Sequence, residues 1–219
     1  MACLQRHVCF EALEPSLLQE IAAQAISRPF GAGELLLLEG DETPGLWLIE
    51  SGRVKVFKLS PDGREQILHF FGPSDTFNEA SLFRDHANPA NAAALTPGLA
   101  WVVPAAAVRA VIAHSPDAAF AMLDVLSQRL RMLTQQIEEM AFYPVTVRLA
   151  RFLMDESEGS VRPYTDITRT DIAARLAATP ETISRALRSL QEMGAIALER
   201  QQIVVVRGDT LQIIAGLYP

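Results

Sequence analysis

The stretch "ITRTDIAARLAATPETISRALRSLQEMGAI", residues 167–196, decides how this chain is read. It predicts two short helices. The first opens at Thr168 with Asp171 three residues later, a capping box in its Thr-x-x-Asp form, and buries Ile172 and Leu176. The second opens with Thr179 as N-cap and Pro180 at the first helical position, where the missing N–H has no partner to lose. Its apolar positions are Ile183, Leu187 and Leu190, at i, i+4 and i+7. Only "LAAT", 176–179, joins the two, which forces a sharp crossing of the helix-turn-helix kind.

The face opposite that apolar stripe carries Glu181, Ser184, Arg185 and Arg188. Arg185 can donate two hydrogen bonds to guanine O6 and N7. Glu181, one turn earlier, can accept from a cytosine amino group or hold Arg185 in place. Ser184 is small enough to let the backbone approach a thymine edge. Arg169, Thr179, Thr182 and Arg188 are placed for phosphate contacts, which set register and not sequence. With Thr168 they complete the candidate DNA-binding set. One arginine alone reads as a solvated helix face; four suitable groups on the second helix of a tight pair point to DNA. The run "ALERQQIVVVRG" at 197–208 then reads as a hairpin, the wing of a winged helix-turn-helix.

A DNA-reading helix sits oddly in a chain of formal charge −7, until the charge is located. Residues 144–219 hold nine arginines, no lysine and nine acidic residues, so all the excess acidity falls on 1–143. The rear is neutral, and its cations are all guanidinium, suited to bidentate binding of phosphate and guanine. Weak non-specific DNA binding follows, since phosphate neutralisation dominates that term.

The front of the chain is of another kind. "ELLLLEG", "LWLIESG", "RVKVFKL", "EQILHFF" and "LAWVV", within 31–103, are short apolar or alternating runs. Gly40, Gly45, Gly52 and the turn "SPDG" at 60–63 punctuate them, which predicts a small antiparallel barrel or jelly roll, with a plain β-sandwich as the other reading. Between the halves, Leu123, Leu126, Leu130, Leu133, Ile137 and Met140 repeat at spacings of 3 and 4. That is an a/d seam flanked by polar residues, read as a parallel homodimer helix; the other reading is a helix packed on its own domain. It stops at Pro144, making "AFYP" at 141–144 a hinge. The expected fold class is therefore α+β, with a β-roll domain at 1–115, a dimerisation helix at 116–141 and a winged helix-turn-helix domain at 142–219.

Taken together, these parts resemble the cyclic-AMP receptor protein/FNR family of bacterial transcription regulators, over nearly the whole length. The most specific pieces are "ITRTDIAARLAATPETISRALRSL" and "FGPSDTFNEASLF". Glu181-Thr-Ile-Ser184-Arg185 matches the Glu-x-x-Ser-Arg pattern of the FNR branch, which implies TTGAT-type palindromic half-sites. One departure is Ala177, where the family often has Gly; Ala resists a left-handed backbone. The resemblance also implies a cytoplasmic homodimer that contacts RNA polymerase and double-stranded DNA. No apolar run approaches the ~20 residues that span a bilayer, and the N-terminus lacks the long apolar stretch of a secretory signal.

The sensing function transfers less well. The family's cyclic-nucleotide pocket shows Gly-Glu-Leu and then an Arg-Ser or Arg-Thr pair on the cyclic phosphate. Here Asn78, Glu79, Ala80 and Ser81 stand in the first place and Pro89-Ala90 in the second, which argues against cyclic AMP. Asn78, Glu79, Ala80, Ser81 and Asn91 form the candidate effector pocket, with Thr134 as relay. A four-cysteine iron–sulfur cluster is also disfavoured: only Cys3 and Cys9 are present, and Trp101 falls where the distant ligand would be. Haem stays open, although none of His7, His69, His86 and His114 lies in a ligand motif. No metal site is expected. The rival class is a small-molecule, redox or haem sensor whose C-terminal helices are structural. An enzyme is not expected, for want of a Ser-His-Asp set, a His-Cys metal spacing or a phosphate loop.

Overall fold

The computed structural model describes residues 14–83, 87–157, 167–199 and 202–217. A first helix, α1 (Pro15–Gln24), precedes eight strands: β1 (Ile26–Phe30), β2 (Leu35–Leu37), β3 (Leu46–Ser51), β4 (Val54–Leu59), β5 (Glu65–Phe71), β6 (Thr76–Phe77), β7 (Asn91–Ala94) and β8 (Gly98–Val103). A single 3-10 turn, Glu79–Leu82, follows β6. The strands form two four-stranded sheets, ordered β1-β8-β3-β6 and β2-β7-β4-β5. The strand pairs with a defined register are antiparallel, β3 running Leu46 against Val103 and β4 running Val54 against Ala94.

Two cores share β3. Trp47 and Ile49 point between the sheets, into a cluster to which every strand contributes, including Phe30, Val54, Phe71, Phe77 and Ala92. Leu46 and Leu48 point the other way, against α1, α2 (Ala105–His114) and the start of α3 (Pro116–Phe142). Both faces of the strand are thus covered, which is why "LWLI" reads as a continuous apolar run and not an alternation. Gly45 sits at φ 139°, and a Cβ there would lie 2.0 Å from the Val103 carbonyl oxygen, so the corner into β3 admits no side chain.

Some elements were not legible in the sequence. Strand β7 is Asn91 followed by three alanines, a poor β-former run whose four residues are all buried. Small side chains fit there because the space between the sheets is filled by aromatics from neighbouring strands, and packing overrides propensity. Helix α2 is rich in alanine and is held by Ala107, Val108 and Val111 on the β-roll core.

The chain divides into two units: one of residues up to 58 and 68–133, the other of 59–67 with 134 onward. In the second unit α4 (Val145–Ser157) packs on α6 (Pro180–Glu192) and α7 (Gly208–Ala215), while α5 (Arg169–Arg175) packs on α6. A two-stranded hairpin, β9 (Ile196–Glu199) with β10 (Gln202–Val205), pairs Val205 with Ile196. The expected wing is therefore an antiparallel hairpin; α7, which follows it, was not foreseen. Ile172, Ile183, Leu187, Leu190, Leu149 and Leu153 have no exposed surface and form the centre of this unit. Each such side chain stabilises the unit by about 1.5–3 kcal/mol relative to exposure, well above helix-propensity differences of a few tenths. No described helix is long and apolar enough to cross a membrane.

Candidate DNA-binding surface and effector site

Both helices of the 167–196 segment begin as their caps dictate. Thr168 Oγ1 accepts from the Asp171 N–H at 3.1 Å, and Asp171 Oδ2 accepts from the Thr168 N–H at 3.1 Å, closing the reciprocal box. Thr179 Oγ1 accepts from the Thr182 N–H at 3.3 Å, with Pro180 behind it. With α6 started there, Ile183, Leu187 and Leu190 are buried, and the opposite side presents Glu181, Arg185 and Arg188 exposed and Ser184 half-buried. Thr168, Arg169 and Thr179 are exposed at the two helix starts, and Thr182 is half-buried.

Arg185 is not free to wander. Its Nη2 donates to Thr182 Oγ1 at 3.3 Å, and that oxygen lies 3.1 Å from Thr179 Oγ1. Of the two roles open to Glu181, contact with Arg185 is purely electrostatic. Its own backbone N–H, the Thr179 hydroxyl and the Arg185 charge together hold its carboxyl below the usual range, so it stays an acceptor. A forked donor beside an ionised acceptor, both in solvent on one helix face, is chemistry suited to base edges.

The turn between the helices has an unexpected backbone. Ala177 adopts φ 48°, the left-handed region, although Ala resists it. Ala178 N–H bonds Ala173 O at 3.0 Å, as in a Schellman turn, so α5 ends as though Gly stood at 177. Replacing Ala177 with Gly should stabilise the second unit by about 0.5–1 kcal/mol, roughly 2–8 °C in its unfolding midpoint. A calorimetric scan showing an unchanged or lower midpoint would count against strain at this residue.

In the first unit, the residues read as an effector pocket are tied largely to one another. Asn78 is buried at φ 74°. Its Nδ2 donates toward Thr43 Oγ1 at 2.8 Å, Asn88 Oδ1 at 3.1 Å and Gly45 O at 3.2 Å. Ser81 Oγ lies 2.7 Å from Asn78 O and 2.9 Å from Thr43 Oγ1. Glu79 accepts from the Thr76 hydroxyl at 2.6 Å and pairs with Arg129 of α3 at 3.7 Å. Arg129 also donates to Thr76 O at 2.8 Å and lies over the Phe71 ring at 4.7 Å. Asn91 Oδ1 accepts from the Glu39 N–H at 3.0 Å, while Ala80 is exposed. Pro89 presents only a carbonyl, which accepts from Lys58 Nζ at 2.9 Å, and Lys58 is paired in turn with Glu39. Thr134 is exposed and belongs to the second unit.

Sequence reasoning missed Thr43, Asn88 and Arg129 here, and Arg148 in the second unit. Asn88 lies ten residues from Asn78 and the others 28 or more residues from their partners, so no helix or strand spacing marks them. The thiols Cys3 and Cys9 and the imidazoles His7 and His86 lie outside the described residues. His69 lies edge-on to Phe71 at 4.7 Å, His114 Nδ1 is 2.6 Å from Ala110 O, and Trp101 hydrogen-bonds Glu50.

Along α3, Ala118, Met122 and Val125 face the β-roll core, and Leu126 is half-buried against it. Leu123, Leu130, Leu133, Ile137 and Met140 are exposed. The helix thus has an inward stripe and an outward one.

Residues 27–115 match the cyclic nucleotide-binding domain and residues 147–214 the Crp-like helix-turn-helix domain. The chain is 31% identical over 215 residues to a CRP-like cAMP-activated global transcriptional regulator of Mycobacterium tuberculosis, covering 95% of this chain and 96% of that one. It is 28% identical to the fumarate and nitrate reduction regulatory protein of Salmonella typhimurium, over 86% of this chain and 78% of the relative. Among solved structures, FixK2 from Bradyrhizobium japonicum superposes with a TM-score of 0.79 at 22% identity, covering 87% of this chain and 96% of that one, a likeness of fold. With its helix-turn-helix built and capped as above, the chain belongs to the CRP/FNR family of DNA-binding transcriptional regulators.

Proposed function

We propose that the chain acts as a homodimer on a palindromic, TTGAT-type DNA site, contacts RNA polymerase there, and carries a β-roll that does not respond to cyclic AMP. The observation that carries the reading is the outer face of α6, where Arg185 stands exposed on a threonine support beside ionised Glu181 and small Ser184. Arg169, Thr179, Thr182 and Arg188, with Thr168 at the start of α5, set the register on phosphate. The exposed leucines, Ile137 and Met140 of α3 supply a seam for a second copy, and two-fold symmetry in the protein implies a two-fold site. The polymerase contact is drawn from family membership.

Against cyclic AMP stand the residues of the β-roll. The Mycobacterium relative is named as cAMP-activated, yet here Pro89-Ala90 stands directly before β7; Pro89 offers only a carbonyl, so that position supplies no charge-assisted partner for a cyclic phosphate. Glu79 is already engaged by Thr76 and Arg129.

Selection of binding sites from a randomised duplex library by the full chain, with and without cyclic AMP, tests the proposal. The expected product is a palindrome with half-sites about one helical turn, roughly 34 Å, apart, enriched equally in both arms. An asymmetric site would remove the dimer from the reading, and enrichment only with the nucleotide would reverse the effector assignment. A defined promoter bearing the selected site should then respond to the protein in a purified transcription reaction.

A further inference from the structure

Helix α5 ends with its carbonyls accounted for in an unusual way. The Ala178 N–H returns to Ala173 O, and the chain turns left-handed at Ala177. Beyond that point no N–H of α5 can reach the carbonyls of Arg175 and Leu176, which are end groups of the helix. Both are met from elsewhere in the same unit. Gln66 Nε2 donates to Arg175 O at 3.2 Å, and Arg148 Nη1 of α4 donates to Leu176 O at 2.7 Å. Arg148 is 9% exposed and its Nε has no acceptor among the described residues. Burial lowers its pKa, opposed by the charge of Glu139. A buried guanidinium is therefore held against the negative end of a short helix, next to the one strained residue of the turn.

We infer that Arg148 is a positioning residue for DNA recognition: its bond to the Leu176 carbonyl holds Ala177 left-handed and so sets the angle at which α6 leaves the turn. Arg185 lies six residues beyond Thr179, about 9 Å along the helix, so a swing of about 10° at the turn displaces it by roughly 1.5 Å. A bidentate pair does not survive such a displacement, because hydrogen-bond distances span only about 0.5 Å. The phosphate contacts of Arg169 and Arg188, carried by long and adaptable side chains, do survive it. The inference rests on the proposed reading of DNA by Arg185.

The test compares full-length Arg148→Met and Arg148→Lys, each in the wild-type and the Ala177→Gly background, with Arg185→Ala alongside. Affinity is measured for the selected palindrome and for a scrambled duplex of equal length, with the thermal midpoint recorded for each protein. Arg148→Met should lower the palindrome-to-scrambled ratio about tenfold, with scrambled affinity little changed. Ala177→Gly, which needs no clamp to stay left-handed, should recover about threefold of that loss. A lowered midpoint with an unchanged ratio would make Arg148 a residue of the fold alone and overturn the inference. So would an equal loss of ratio in both backgrounds. If Arg148→Met does not fold, Arg148→Lys, which keeps the charge without the fork, decides on the same criteria. Should Arg185→Ala keep the full ratio, the DNA-reading assignment itself fails and takes this inference with it; loss in Arg185→Ala without loss in either Arg148 variant sinks the inference alone.

Discussion

Arg185→Ala will bind the palindrome no better than about thirtyfold worse than the wild type, while its affinity for scrambled DNA barely moves. The magnitude follows from the geometry. A bidentate arginine–guanine pair discriminates by about 1–3 kcal/mol, and a two-fold site loses it twice, so about 2 kcal/mol is the lower bound. The scrambled term depends on summed phosphate neutralisation, to which one base-facing group adds little. Arg185→Lys makes a useful contrast, because it keeps the charge and loses the fork; most of the discrimination should go with it. The side chain is exposed and its hydrogen bond is to Thr182, so neither substitution disturbs the core around Ile183 and Leu187. Equilibrium titrations at one fixed salt concentration measure both effects. Equal weakening on both duplexes would reassign Arg185 to phosphate.

Leu123→Glu with Ile137→Glu will convert the protein to monomers. These two side chains are 56% and 65% exposed in the single chain and lie two heptads apart on the outward stripe of α3. If they are buried in a dimer, four side chains leave water, at about 1.5–3 kcal/mol each. Losing even about 6 kcal/mol raises the dimer dissociation constant by roughly four decades, before repulsion between the new carboxylates is counted. Sedimentation velocity reads the outcome directly. DNA affinity should fall with it, since each monomer can hold one half-site only. The inward stripe of Ala118, Met122 and Val125 is untouched, so the β-roll should keep its thermal midpoint. A double variant that still sediments as a dimer would place the interface elsewhere on the chain.

How far these features were legible depends on the range of the interactions behind them. The capping box at Thr168, the Thr179 cap with Pro180 behind it and the apolar triplet of α6 act within one or two turns, and their spacing alone announces them. The seam in α3 was legible as a period, but the period does not tell which partner each residue meets. Leu126 keeps the phase of the outward stripe and yet leans on the β-roll core beside Met122 and Val125. Strand β7 was invisible because three alanines carry no strand preference; only the sheets around them make them a strand. Ala177 shows the opposite error. Its side chain argued against a left-handed turn, and the bonds made by Ala178, Arg148 and Gln66 to the end of α5 hold it there regardless.

Family membership was thus written in local patterns: a capped helix pair with Glu181, Ser184 and Arg185 outward, glycine corners in the β-roll, a heptad helix and a proline after it. These patterns depend on caps, periodicity and turn chemistry, all of which act over a few residues. The arrangement of the β-roll polar groups was decided only in three dimensions. Glu79 was legible as a pocket residue, but not that Arg129, fifty residues away, would neutralise it, or that Thr43 and Asn88 would close on Asn78. The same holds for Arg148 and the turn it clamps. Buried polar groups must find partners wherever the fold brings them, and that search leaves no period in the chain.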